Sequence, residues 1–319
     1  MAEVVCLGEL LIDFVPVAPS DGGGYDTMFH QAAGGAPANV AVGLVRLGKS
    51  SAFMGQVGNE MFGRFLATTL RSAGVDVSPL RLTSAAHTML AFVSLAANGE
   101  REFLFYGNPS ADMLFAPADV DETAIRCARV LHFGSIGLIS EPSRAATRHA
   151  IGLARQHGLR VSYDPNLRLN LWPDAQSARN GLKLGLDQAE IVKIGAEEAE
   201  FLTGIDDPLR AARALWHTNM MLMVVTLGAP GCIWVTPSAH GMVPGFSVEA
   251  VDTTGAGDAF TAGLLSGLLE LPDVRPESAS MVAICRQANA MGALTTTRRG
   301  AIPALPDHAA LQAFLDTHP

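Results

Sequence analysis

Short, nearly unbroken apolar runs recur along the chain: Val4–Leu7, Val130–Phe133, Leu159–Tyr163, Ile191–Ile194 and Leu222–Thr226. A strand with one solvated face alternates apolar and polar residues. A run that is apolar throughout needs cover on both faces, as in a parallel sheet between layers of helices. The intervening segments, such as Ser143–His157 and Ala175–Gln188, have the length and mixed polarity of amphipathic helices. From about residue 120 onward the rhythm strand, helix, strand, helix predicts an α/β fold, a doubly wound and mostly parallel sheet with helices on both faces.

The first 115 residues follow another pattern. Ala86–Ala96 and Arg101–Tyr106 flank Ala97-Asn98-Gly99-Glu100, where Asn-Gly supplies the positive φ angles of a tight hairpin turn. With Leu10–Val15 and Met28–Gln31 they predict a small antiparallel β lid apart from the main sheet. There is no internal repeat, low-complexity tract or long linker, so residues 1–319 are expected to form one domain, the lid arising from insertions around 10–33 and 86–115.

Composition narrows the class of partner. At 319 residues, 49% hydrophobic and 17% charged, the chain can bury a large core. A net charge of -9 and the absence of any run of five basic residues point away from nucleic acid and anionic membranes, toward a small-molecule substrate. Cys6, Cys127, Cys232 and Cys285 form no CxxC pair and read as reduced thiols. The start, Met1-Ala2-Glu3-Val4-Val5, is acidic where a secretory leader is basic, and the uncharged stretch Asn219–Val235 is broken by Gly228, Pro230 and Gly231 into two strands around a turn. A cytoplasmic location is expected.

One motif is a decoy. Gly43-Leu44-Val45-Arg46-Leu47-Gly48-Lys49-Ser50 matches the G-x4-G-K-S phosphate loop letter for letter. That loop requires a strand entering and a helix leaving. Here a helix over Ala36–Leu47 is predicted to enter, with Gly48 as its C-terminal cap and Ser51–Gln56 as the following strand, so the loop is rejected.

A stronger candidate is Gly255-Ala256-Gly257-Asp258, which precedes the small-residue, apolar stretch Ala259-Phe260-Thr261-Ala262-Gly263-Leu264-Leu265. Glycines bracketing an alanine at a helix N-terminus let a ligand approach unpaired, positively polarised N–H groups, an anion hole. Asp258 in the first turn either serves as the base of a phosphoryl transfer beside that hole or simply stabilises the helix start.

The resemblance goes further. Asp252-Thr253-Thr254-Gly255-Ala256-Gly257-Asp258-Ala259-Phe260 resembles the C-terminal motif of the ribokinase-like (PfkB) carbohydrate kinases. Gly34-Gly35-Ala36-Pro37-Ala38-Asn39-Val40-Ala41, with Gly55-Gln56-Val57-Gly58-Asn59-Glu60-Met61-Phe62-Gly63, resembles their N-terminal motif. Within the family, Gly8-Glu9-Leu10-Leu11-Ile12-Asp13-Phe14, Asn108-Pro109-Ser110-Ala111-Asp112-Met113 and Tyr163-Asp164-Pro165-Asn166-Leu167-Arg168 resemble the fructokinases.

The resemblance implies an ATP-dependent sugar kinase. Asp258 would be the catalytic base and the Gly255, Ala256 and Gly257 backbone the anion hole. Asp13, Gly34, Gly35, Asn39 and Asn108 would meet the sugar; Arg168 would contact substrate or phosphate, or pair with a neighbouring acid. Thr226, Gly228 and Gly231 would line the nucleotide phosphates, with Lys193 adding positive charge and Asn289 near the adenine. Glu198 would act on Mg2+ through water, while Asp252, Thr254 and the Thr295, Arg298 and Gly300 loop would hold K+. Two positions depart from the family pattern. Gly195 replaces the asparagine of N-x-x-E, and Gly107 stands where a lid arginine would favour a sugar acid, so a neutral sugar is expected. Fructose is the leading substrate, with 2-keto-3-deoxygluconate, ribose or a nucleoside as rivals and a non-catalytic sensor as the alternative class. A homodimer through the lid is a further expectation.

Overall fold

The computed structural model describes residues 1–16, 28–95 and 101–318, and of residues 94, 95 and 101–103 the backbone alone. The expected Asn98-Gly99 turn therefore lies outside the described residues. Thirteen strands are described: β1 Val4–Leu7, β2 Leu11–Pro16, β3 Phe29–Gly34, β4 Ser51–Gly58, β5 Leu80–Thr83, β6 Leu90–Leu95, β7 Arg101–Tyr106, β8 Val130–Phe133, β9 Arg160–Tyr163, β10 Ile191–Gly195, β11 Leu222–Thr226, β12 Gly231–Val235 and β13 His240–Pro244.

Nine of them form the main sheet, in the order β13-β12-β11-β10-β9-β8-β1-β4-β5. β5 through β11 in that order are parallel neighbours, and β12 and β13 close the edge antiparallel. The apolar runs divide by alternation between two cores. Val4, Cys6, Ile191, Leu222 and Val224 pack with the helices Ala36–Arg46 and Ala256–Leu269. Val5, Leu7, Val192, Ile194, Met223 and Val225 pack on the opposite face with the helix Ser143–Gln156. This double burial is the physical reason the runs carry no polar alternation.

The Ala36–Arg46 helix ends at the false phosphate loop. Gly48 follows it at φ +79°, Lys49 pairs with Glu270, and β4 begins at Ser51. The order is helix into strand, so no anion cradle forms there.

The small sheet runs β3-β2-β6-β7. Its outer pairs are antiparallel, and the central pair is parallel, Asp13 facing Ala91 and Phe14 facing Phe92. β6 begins at Leu90 rather than Ala86. Residues beyond Tyr106 leave the sheet, and Phe115 joins the main core. β3 passes through Gly35 directly into the Ala36–Arg46 helix, which couples the small sheet to the main domain.

Candidate active site

β1 stands where the strand order reverses, with β4 on one side and β8 on the other. Open α/β sheets bind ligands at the carboxyl ends of the strands near such a point. Glu9 follows β1, Asp164 follows β9, Lys193 and Gly195 lie at the end of β10, and Thr226 ends β11. The Ala256–Leu269 helix brings its N-terminus to the same edge.

Gly255 is the N-cap of that helix, at φ +77°, and offers no side chain to the free N–H groups of the first turn. Asp258 sits in that turn, buried, with Oδ2 accepting a 2.7 Å hydrogen bond from Asn39 Nδ2. Because Asn39 donates through its nitrogen, its Oδ1 is directed elsewhere, buried and without a hydrogen-bond partner among the described residues. That atom is an acceptor suited to a hydroxyl. Burial pushes the Asp258 carboxyl up to about 6; Asn39 opposes the shift, the Asp164 charge adds to it, and Lys193 and Arg168 pull it back. A carboxyl group shifted upward in this way is the kind that general-base chemistry near neutral pH uses.

Beside it lies an ion pair absent from the sequence expectations. Lys193 Nζ stands 3.2 and 3.0 Å from the two oxygens of Asp164, and Thr261 donates to Asp164 Oδ2 at 3.0 Å. Burial works against the Lys193 charge, but Asp164, Glu198 and Asp258 outweigh it and hold its pKa above the ordinary value. A Cβ on Gly257 would come within 3.0 Å of Lys193 Nζ, so the ammonium lies against the glycine-rich helix start. Asp164 was visible in sequence only as part of the Tyr163-Asp164-Pro165-Asn166 block.

On one side of this centre is a cavity of about 380 Å³. Its lining unites Thr226, Gly228, Gly231, Ala256, Gly257 and Asn289, residues spread over more than sixty positions of sequence. Asn289 acts there as a strut, its Nδ2 donating at 3.1 Å to the Val243 and Pro244 carbonyls. On the other side is the turn Gly34-Gly35. A Cβ on Gly34 would lie 2.1 Å from Asp13 Oδ2, so the close approach of that carboxylate requires glycine. Arg168 donates to its neighbour Leu167's carbonyl at 3.1 Å and is near enough to influence Asp258. Asn108 is exposed beyond β7.

Glu198 gives both oxygens to backbone: Oε1 accepts from Leu167 N at 2.6 Å and Oε2 from Gly195 N at 2.8 Å. It thereby caps its own helix Ala196–Thr203 and clamps the segment bearing Arg168. Gly195 as helix cap has no side chain of its own, so Glu198 closes the start from within. Asp252 Oδ1 accepts from Thr254 N at 2.8 Å, and Oδ2 from Gly300 N at 2.9 Å. It ties the segment leading into the glycine-rich helix start to the loop after Thr295, which is fully buried, while Arg298 N donates to the Thr295 carbonyl at 3.4 Å.

A buried carboxylate sits between a cavity of about 380 Å³ and a polar turn, with fixed positive charge alongside; a small-molecule kinase uses such a layout to move a phosphoryl group from one side to the other. The chain matches the pfkB family carbohydrate kinases over residues 1–308 and belongs to that family. It is 48% identical over 306 residues to fructokinase-2 of Solanum lycopersicum, covering 95% of this chain and 93% of that one. The fructokinase of Xylella fastidiosa with bound ATP shares the fold at a TM-score of 0.91 and 35% identity, over 100% and 99% of the two chains. A fructokinase double mutant of Vibrio cholerae O395, in fructose, ADP and potassium ion bound form, gives 0.87 and 37% over 99% and 98%.

Proposed function

We propose that this carbohydrate kinase transfers the γ-phosphoryl group of ATP to the 6-hydroxyl of D-fructose, giving fructose 6-phosphate and ADP. The observation that carries the reading is Asp258, held by Asn39 and backed by Lys193 between the two compartments. It accords with near-full-length similarity to fructokinases. The hydroxyl oxygen attacks phosphorus as its proton passes to Asp258, and the bond from phosphorus to the β–γ bridging oxygen breaks. Lys193 and the N–H groups at the Gly255 helix start stabilise charge on the transferring group, while Asp13 and Asn39 Oδ1 orient the sugar.

Among the described residues no cluster of three or more His, Cys, Asp or Glu could hold a metal on its own. Magnesium suits this centre as an ion carried by the phosphates and water, with Glu198 on its water shell, and supplies charge neutralisation there. The Asp252, Thr254 and Gly300 segment offers the oxygen-rich set a monovalent cation takes: carboxylate, hydroxyl and carbonyls. Potassium bound there would supply positive charge behind the anion hole. Gly107, exposed and at φ +119°, stands at the lid position where an arginine would favour a sugar acid, which supports a neutral sugar.

The small sheet carries an aromatic face in which Phe14 and Phe92 stack at 4.8 Å, with Phe29 and Tyr106 edge-on to Phe92. Phe29, Leu104 and Tyr106 remain 41%, 58% and 54% exposed, and a second copy of the chain would cover them. No helix among the described residues is long and apolar enough to cross a membrane, and all four cysteines are unpaired, which fits a reducing compartment such as the cytoplasm.

The test is ADP release with ATP, Mg2+ and K+ across fructose, glucose, ribose, 2-keto-3-deoxygluconate and adenosine. Turnover dominated by fructose is expected; turnover dominated by the keto-acid would move the substrate to a sugar acid and make Arg168 its carboxylate partner.

A further inference from the structure

The Ala36–Arg46 helix has an unusual beginning. Its N-cap is Gly35, which has no side chain to cap with, and Pro37 follows at the second helical position. Glycine is required there: at φ +110° a Cβ would meet the Glu9 carbonyl oxygen at 2.4 Å. The free Ala36 N–H is instead taken by Glu9 Oε1 at 2.9 Å, from 27 residues away. Backbone and side chain of Glu9 therefore grip the sugar turn together. Three residues into the same helix, Asn39 holds Asp258.

Glu9 borders a small cavity of about 20 Å³, room for one water molecule. Glu9 and Asp112 both border it. Glu9 Oε2 and Asp112 Oδ1 are buried with no hydrogen-bond partner among the described residues.

We infer that Glu9 is a positioning residue of the kinase: its buried carboxyl replaces the missing helix cap, fixing the Gly34-Gly35 turn against the sugar and, through Asn39, the orientation of Asp258. The inference rests on the proposed sugar-kinase reading. The two orphaned acceptor oxygens, on residues that line one small cavity, are satisfied when Glu9 carries a proton and donates it toward Asp112 through one water. Burial pushes Glu9 up to about 8, with Asp112 and Asp258 adding to the effect against the backbone bonds, and burial raises Asp112 as well. The working form of Glu9 is the neutral acid, accepting at one oxygen and donating at the other.

The experiment compares Glu9→Leu, which fills the space without an acceptor, and Glu9→Gln, which mimics the neutral acid. Loss of a cap corresponds to about 2- to 30-fold. Glu9→Leu should raise the sugar KM by about that factor and lower kcat for sugar phosphorylation as Asp258 loses its orientation, while the KM for ATP stays within about twofold. Glu9→Gln should restore the sugar KM. Equal effects on both KM values, no effect on either, or failure of Gln to restore would overturn the role. So would failure to fold of both Glu9→Leu and a third variant, Glu9→Ala, since Glu9 would then be a prop of the fold alone. If the wild type prefers another sugar, the same comparison is run with that sugar; fructose then falls and Glu9 stands or falls separately.

Discussion

Replacing Asp258 with asparagine separates catalysis from stability at one atom. The change is isosteric and leaves an oxygen to accept the Asn39 bond. It removes the proton acceptor, and loss of a positioned general base costs about 10²- to 10⁴-fold in kcat. The same change should make the protein more stable at neutral pH. An ordinary aspartate ionises near 3.8 and buried Asp258 near 6, so ionising it in the folded protein costs up to about 3 kcal/mol more than in the unfolded chain. The sign follows from proton binding. Between pH 4 and 6 the folded state holds the proton more tightly, so stability contributed by this group falls as pH rises, and the full cost applies above about 6. Activity runs the opposite way, kcat/KM rising through the same window as the base ionises. Asp258→Asn should therefore melt several degrees higher at pH 7.5, lose that advantage at pH 4, and turn over fructose at a small fraction of the wild-type rate with fructose binding retained. Thermal melts at both pH values and steady-state rates give the answer. A kcat within threefold of wild type, or a variant less stable at pH 7.5, would refute the account.

Lys193→Met leaves Asp164 as a buried carboxylate without its cation; a stability loss of about 3–5 kcal/mol is expected, visible in chemical denaturation, and Lys193→Met/Asp164→Asn should regain most of it without regaining kcat. Gly34→Ala drives a methyl into Asp13 Oδ2, so the sugar KM should rise at least tenfold, roughly 1.4 kcal/mol, with the KM for ATP unchanged. Replacing K+ with Li+ in the assay should lower kcat, and Asp252→Asn, which weakens the link between Thr254 and Gly300, should abolish the difference between the two salts.

Local pattern determined a good deal of this protein. The strands at Val4–Leu7, Val130–Phe133 and Leu222–Thr226 were readable because burial on both faces leaves a run without polar positions, a property of each segment alone. The false phosphate loop was rejected on helix-then-strand order, and Asp258 was placed at a helix start because glycines there are conspicuous. What the chain order could not show was which charges meet. Asp164 and Lys193 lie 29 residues apart, and Asn39 and Asp258 lie 219 apart; each pair exists only because the parallel strands deliver their carboxyl ends to one edge. Nor could it show what else two of the expected site residues hold: Glu198 accepts from the Leu167 and Gly195 N–H groups, and Asn289 Nδ2 donates to the Val243 and Pro244 carbonyls while lining the cavity. The upward push on the Glu9 carboxyl belongs wholly to the tertiary structure. A carboxyl group keeps its ordinary acidity while water surrounds it, and only folding removed that water and set Asp112 and Asp258 nearby.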